Sequence, residues 1–167
     1  MFSVAAPEVV VSIKPVHSLV AGVMVGVATP ELLNHKMQSP HSFTLAPSDV
    51  RKLNRADRVF WIGRSLEPSL AKVLGVVVDK TKVVALLPQP GMEILQQREG
   101  GVWGGHNHDE IDNVHGDHET SLLGDQRKPD SLQNANPHIW LSPFNASRIV
   151  TLVMAELSSI DPGNADS

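Results

Sequence analysis

Residues 9–27 read VVVSIKPVHSLVAGVMVGV, a buried strand that leads directly into a helix. The first five residues, Val9 to Ile13, are mostly β-branched and carry no charge, which predicts a strand buried on both faces, as in a parallel sheet. Lys14-Pro15 ends that strand. Apolar residues then recur every three or four positions from Val16 to Val27, which predicts a helix despite two glycines. Strand followed by helix is the opening of an α/β unit.

The same alternation continues along the chain. Further strands are predicted at residues 31–34, 57–63 and 82–86, with helices at 47–55 and 66–74 and at most a short helix at 91–97. Strands separated by helical stretches imply right-handed crossovers. We therefore expect an α/β fold with a mostly parallel four-stranded sheet flanked by helices.

The last third of the chain divides into a loop and a helix. From Arg98 to Asn136 the apolar periodicity disappears and Gly, His, Asp, Glu and Asn dominate, which predicts a long, largely disordered loop. Ser142 can then cap a helix that starts with Pro143 and carries one apolar stripe as far as Ile160. The fold therefore ends in a long amphipathic helix.

Composition excludes several classes of protein. The chain has 167 residues, 41% of them apolar, and this length favours a single domain. A net charge of −4 argues against nucleic acid as a partner. The absence of cysteine excludes disulfides, thiolate zinc clusters and a cysteine nucleophile. Charged residues interrupt every apolar run well before the ~20 residues that a membrane span needs.

Histidine is the residue type that points to chemistry, since the chain contains eight. His41 follows a predicted strand, and His138 follows the predicted disordered loop. In a parallel sheet such loops gather at the carboxyl edge, where ligands bind, so the two imidazoles could meet there. A solvated loop histidine is the more common alternative for either residue taken alone. His17 is expected to be structural, and His35 is a weaker metal candidate in the loop that contains His41.

A denser cluster of donors lies inside the long loop, where imidazoles and carboxylates occur without lysine or arginine. Its candidate auxiliary metal ligands are His106, His108, Asp109, Glu110, His115, Asp117, His118 and Glu119. Such a flexible multidentate set suits Zn²⁺, Cu²⁺ or Ni²⁺. Its affinity should be modest because a mobile loop loses conformational entropy on wrapping an ion. A solvated acidic loop remains the alternative.

Several motifs, in order and at matching spacing, together resemble the zinc-binding solute-binding proteins of bacterial ABC importers. They are Val11-Ser12-Ile13-Lys14-Pro15, Ser39-Pro40-His41-Ser42-Phe43, Pro47-Ser48-Asp49, Ala56 to Gly63, Leu66-Glu67, the histidine-rich loop, and Asn136 to Pro143. The resemblance covers nearly the whole chain.

The resemblance implies a fold of two α/β lobes joined by a long helix, with the metal held between the lobes. Residues 1–141 would form the N-terminal lobe, with the loop at 98–136, and residues 142–160 the start of the connecting helix. His41 and His138 would bind Zn²⁺ as cargo, and the histidine-rich loop would be an auxiliary acceptor. The resemblance further implies a periplasmic protein, with its export signal removed or not included in this sequence. It also implies an inner-membrane ABC permease as partner and a periplasmic zinc chaperone as a further candidate partner.

The sequence departs from the family pattern because it ends where the C-terminal lobe would begin, and in that family this lobe supplies a further histidine and usually an acidic ligand. We therefore expect weaker zinc binding and an uncovered apolar face that favours self-association. Two other functions remain open at this point: a zinc buffer or chaperone that acts through the loop alone, and a metallohydrolase, although no general base stands next to either histidine. A manganese or iron receptor is expected to lack the histidine-rich insertion.

Overall fold

The centre of the fold is a sheet of four parallel strands. The structure, a computed structural model, describes residues 6–33, 38–42, 44–97, 132 and 134–165. The strands are β1 Val9–Val11, β2 Glu31–Leu32, β3 Arg58–Trp61 and β4 Val83–Ala85. They lie in the order β2-β1-β3-β4, with Val10 beside both Glu31 and Val59, and Phe60 beside Val84. The predicted parallel sheet is confirmed.

Within the described residues, four helices flank the sheet: α1 Lys14–Val23, α2 Pro47–Arg55, α3 Pro68–Val77 and α4 Pro143–Ile160. Each has a proline in its first turn, where the missing N–H would have had no partner within the helix. The Ser142 hydroxyl caps α4 by accepting a hydrogen bond from the Asn145 N–H at 3.4 Å. In the described part of the chain, no helix combines the length and the apolar character that a membrane crossing requires.

The core forms two layers, one on each face of the sheet. Val9 and Val11 of β1 belong to the layer that contains buried residues of α1 and α4, whereas Val10 belongs to the layer that contains buried residues of α2 and α3. This division follows from the period of two along a strand. Both faces are covered, which explains why the sequence of β1 is apolar throughout.

The long helix α4 packs on the α1 side of the sheet. It buries Ile149, Val153 and Leu157, one residue per turn, which confirms the predicted apolar stripe. An ion pair joins the helix to the beginning of β3, with Arg58 Nε 2.9 Å from Glu156 Oε2. The C-terminal helix is therefore part of the same core as the sheet.

Helix α1 differs from its prediction at both ends. It begins at Lys14, three residues after β1 ends at Val11, and its last residue is Val23. Met24 forms the C-cap, and the chain then turns through Gly26, whose φ of 85° favours glycine. Met24 and Ala28 of this turn pack in the core, whereas Val25 is 73% exposed.

The segment from Gly91 to Gln97, predicted to be at most a short helix, is irregular. Gln96 instead pairs with Ala135 in an isolated antiparallel bridge. The Gln97 N–H donates to Asn134 O at 2.8 Å, and the Asn136 N–H donates to Leu95 O at 2.7 Å. Regular backbone pairing therefore begins before Pro137, inside the range predicted as loop.

Candidate metal centre

His41 lies in a turn between β2 and α2. The turn is closed by the Ser42 N–H, which donates to Ser39 O at 3.1 Å, and the His41 N–H lies 3.4 Å from Ser39 Oγ. Because β2 is parallel to its neighbour, the segment that follows it lies at the carboxyl edge of the sheet. The His41 side chain is exposed there.

His138 lies just before a 3₁₀ turn, Ile139–Leu141, which leads into α4. Its ring Nδ1 is 2.8 Å from Asn136 Oδ1, and its backbone N–H donates to the same oxygen at 3.1 Å. The edge of the ring also meets Trp140, with 5.2 Å between ring centroids and 61° between ring planes. The residue is exposed, but its ring has contacts on two sides.

The fold brings these two distant histidines together. Their ring centroids are 6.1 Å apart and their planes are inclined at 51°. With zinc–nitrogen bonds of about 2.0–2.1 Å, two imidazoles on one ion place their centroids roughly 5–6 Å apart. The observed separation is therefore close to the one that a shared ion requires.

Electrostatics favour the neutral form of His138. Burial lowers the pKa of His138 below its ordinary value of 6.5, and the neighbouring His41 lowers it further. A neutral imidazole is the form that binds a metal ion, since a protonated ring has no lone pair to give. His138 is thus suited to accept a cation near neutral pH.

Among the described residues, the structure brings two metal-donor side chains together, the imidazoles of His41 and His138. Within residues 6–33, 38–42, 44–97, 132 and 134–165, no group of three or more His, Asp or Glu side chains converges. Zinc in proteins is almost always held by four donors in structural sites. Further donors to a complete site must come from outside this described set.

The other histidines divide into one that is described and five that are not. The His17 ring Nε2 lies 2.9 Å from Pro30 O, which supports its predicted structural role. His35 lies outside the described residues. So do all the loop candidates: His106, His108, Asp109, Glu110, His115, Asp117, His118 and Glu119.

Asn136 and Trp140 contact His138, and the sequence analysis assigned no role to either. The local sequence at Asn136 favours its contact with His138. An asparagine side chain readily accepts a hydrogen bond from the backbone N–H two residues ahead, and Asn-Pro favours the start of a turn. That geometry is observed here. No comparable signal marked Trp140, whose contact depends on the 3₁₀ turn that follows His138.

Glu67 is a buried carboxyl group near the same edge of the sheet. It precedes α3, and its Oε2 accepts the Ile62 N–H at 2.8 Å. Burial raises the pKa of Glu67 to about 7, against the opposite effect of the Ser12 hydroxyl and of backbone N–H groups. Its position behind the end of β3 makes it a structural support for this edge.

Comparison with known proteins identifies relatives of the whole chain. The family model described as "Zinc-uptake complex component A periplasmic" (ZnuA) matches residues 9–167. A high-affinity zinc uptake system protein ZnuA from Yersinia pestis is 32% identical over 166 residues, which cover 99% of this chain and 50% of that protein. The ZnuA of Brucella abortus (strain 2308) is 43% identical over 100 residues, covering 60% of this chain and 30% of the relative.

Solved structures share the fold. The Zn(II)-bound ZnuA-like domain of Streptococcus pneumoniae AdcA superposes with a TM-score of 0.63 at 21% identity, covering 96% of this chain and 47% of that one. A Mn-bound periplasmic metal binding protein from Candidatus Liberibacter asiaticus gives 0.65 at 19% identity, with 95% and 47% covered. This chain spans about half the length of the Yersinia relative and of the ZnuA-like domain of AdcA. By the extent of the family match and of the Yersinia alignment, the chain belongs to the zinc-uptake complex component A family of periplasmic proteins.

Proposed function

We propose that this chain provides the zinc-capturing N-terminal lobe of a periplasmic receptor for a bacterial ABC importer. His41 and His138 bind Zn²⁺ through neutral imidazoles, and the ion is passed to an inner-membrane permease. The protein carries its ion as cargo and performs no chemical step. Residues 1–141 form the lobe, and α4 is the start of the helix that connects it to a second lobe.

One observation carries this proposal. Two exposed imidazoles from segments far apart in the chain lie at the carboxyl edge of the sheet, with 6.1 Å between their ring centroids. The lowered pKa of His138 supports it, because that ring stays neutral. The curated relatives from Yersinia and Brucella are high-affinity zinc uptake proteins, and this supports zinc as the cargo.

The proposed site is incomplete on the described residues alone. Water, a loop histidine or carboxylate, or a second lobe would supply the remaining donors, so we expect this chain to bind zinc more weakly than a two-lobed receptor. Leu141 and Phe144, which follow His138 in the chain, are 73% and 46% exposed and support the expectation of an uncovered apolar surface. Self-association through this surface is part of the proposal.

Calorimetric titration with zinc tests the assignment of the ligands. His41→Ala and His138→Ala should each weaken the tightest site by more than the roughly 10- to 100-fold that accompanies loss of an outer-shell partner. His17→Gln is the matched control, because His17 bonds to a backbone carbonyl away from the pair. Unchanged affinity in both alanine variants would refute the site.

A zinc buffer that acts through the loop is the second candidate function, and the donor-rich sequence from His106 to Glu119 favours it. Removal of residues 105–119 separates the two functions. If the receptor proposal is correct, the tight site survives this deletion and weaker additional binding is lost. Disappearance of all zinc binding would favour the buffer.

A further inference from the structure

The side chain of Asn136 makes two contacts to the same histidine. One oxygen, Asn136 Oδ1, is 3.1 Å from the backbone nitrogen of His138 and 2.8 Å from the Nδ1 atom of its ring. The metal-binding proposal uses the ring but does not explain these contacts. Together they determine which ring nitrogen carries the proton.

The backbone contact fixes the orientation of the Asn136 amide. An asparagine amide can be turned so that either its oxygen or its nitrogen faces a neighbour, and the two atoms are hard to tell apart. A backbone N–H, however, can only donate. The atom that faces the His138 N–H must therefore be the acceptor oxygen, and the NH₂ group points elsewhere.

The orientation of the amide in turn fixes the tautomer of the ring. The same oxygen lies at hydrogen-bond distance from Nδ1, and two acceptors cannot share a hydrogen bond, so Nδ1 must carry the proton. In a neutral imidazole the lone pair is then on Nε2, at the opposite side of the ring.

We propose that Asn136 is a positioning residue, which holds His138 in the Nδ1–H tautomer so that Nε2 is the nitrogen that receives the metal ion. This inference rests on the proposed function of His138 as a zinc ligand. Metal-binding histidines commonly donate their second N–H to an oxygen acceptor, which orients the ring and raises its basicity.

The backbone around Asn136 makes it a firm acceptor. Its own N–H donates to Leu95 O at 2.7 Å, and the preceding residue, Ala135, is buried and paired with Gln96. The following Pro137 is also buried and has a restricted φ. The backbone that carries the amide is thus fixed by the fold.

The tautomer is measurable without metal. In ¹⁵N-histidine-labelled, metal-free full-length protein at a pH where the ring is neutral, long-range ¹H–¹⁵N correlation distinguishes a protonated from an unprotonated ring nitrogen. Comparison with His138→Ala assigns the signals. We expect protonated Nδ1 and unprotonated Nε2 in the wild type.

Three variants test the role of Asn136. Asn136→Leu, which is similar in size but has no acceptor, should shift His138 toward the Nε2–H tautomer that a solvated histidine side chain prefers in water, and should weaken zinc binding about 10- to 100-fold. Asn136→Asp should restore both, because it keeps the oxygen. Asn54→Leu, on the exposed face of α2, is the matched control and should change neither.

The tautomer of His138 and the affinity for zinc, measured together, distinguish failure of this inference from failure of the proposed function. If Asn136→Leu leaves the Nδ1–H tautomer in place, or shifts the tautomer without weakening the tight zinc site, the positioning role is overturned. If His138→Ala itself binds zinc as tightly as the wild type, the zinc proposal fails, and with it any role of the tautomer in metal binding. The expected tautomer change together with weaker binding and rescue by aspartate supports the inference.

Discussion

Glu67 combines burial with an altered proton affinity. Its carboxyl group is buried behind the end of β3, and its pKa of about 7 lies above its ordinary value of 4.5. The folded protein therefore holds this proton more tightly than the unfolded chain does. It follows that the contribution of Glu67 to stability is complete below about pH 4.5 and is lost as the pH rises to about 7.

The variant Glu67→Gln should remove this pH dependence. Glutamine keeps an oxygen for the Ile62 N–H but cannot ionise, so above about pH 7 the variant should be more stable than the wild type, by on the order of 3 kcal/mol. Urea unfolding of the metal-free protein across this pH range measures the effect. The exposed Glu93→Gln is the control, and an unchanged pH slope in Glu67→Gln would contradict the prediction.

The titration of His138 provides a second pH prediction. Its pKa should lie below 6.5 in the metal-free protein, because burial and the adjacent His41 both disfavour its charged form. His41→Ala removes the second cause only, so the pKa of His138 should rise but stay below 6.5. An NMR titration of the ring protons measures this. The prediction fails if the His138 pKa is at or above 6.5, or if His41→Ala leaves it unchanged.

Helix α4 holds the irregular segment 91–97 in place through one buried side chain. Asn145 is 1% exposed; its Oδ1 accepts the Glu93 N–H, and its Nδ2 donates to Glu93 O, both at 2.9 Å. These two hydrogen bonds pair backbone groups of Glu93 that a helix or strand would otherwise pair. It also explains why a polar residue occupies the buried face of α4.

Replacement of this residue should loosen the segment from the helix. Asn145→Ala should destabilise the protein by about 1 to 3 kcal/mol, because two part-buried hydrogen bonds to the backbone of Glu93 are lost. Chemical denaturation measures the loss, and amide hydrogen exchange at Glu93 should become faster. Asn54→Ala, on an exposed helix face, should stay within about 0.5 kcal/mol. If Asn145→Ala and Asn54→Ala were equally stable, the two hydrogen bonds between Asn145 and Glu93 would not contribute to stability.

A single sheet unites the two core layers, so the described fold should unfold as one unit. Ile149 of α4 lies on one face and Leu53 of α2 on the other, and both are fully buried. Damage to either layer removes support from the same strands.

Substitutions in either layer should therefore shift one common transition. We expect Ile149→Val to cost about 0.5 to 1.5 kcal/mol and Leu53→Ala about 2 to 5 kcal/mol. Denaturation followed by circular dichroism and by tryptophan fluorescence should give coincident curves for both variants. Val76→Ala, where the side chain is 86% exposed, is the control and should have little effect. Separate transitions for the two probes would contradict a shared core.

The fold was predictable because its elements have strong periodic patterns. Uniform burial of β1 and the apolar stripe of α4 both follow from where the side chains must point, and both are observed. The irregular segment 91–97 was not predictable in this way. Its structure depends on Asn145 and Ala135, which are distant in sequence, and no local pattern encodes such contacts.

The candidate site was predictable only in part. Topology alone suggested that His41 and His138 could meet, since both flank elements at the carboxyl edge, but their ligand roles came from a family resemblance and remain predictions. The tautomer of His138 depends on the orientation of one amide, which only the coordinates reveal. The raised pKa of Glu67 likewise required knowledge of its burial.

The bridge between Gln96 and Ala135 joins two segments that are distant in sequence. Two backbone hydrogen bonds form it: the Gln97 N–H donates to Asn134 O, and the Asn136 N–H donates to Leu95 O. The entropic cost of closing the connection between these segments changes only slowly with its length. Variants in which that connection is moderately shortened or lengthened should therefore lose little stability, and His138 should keep its position.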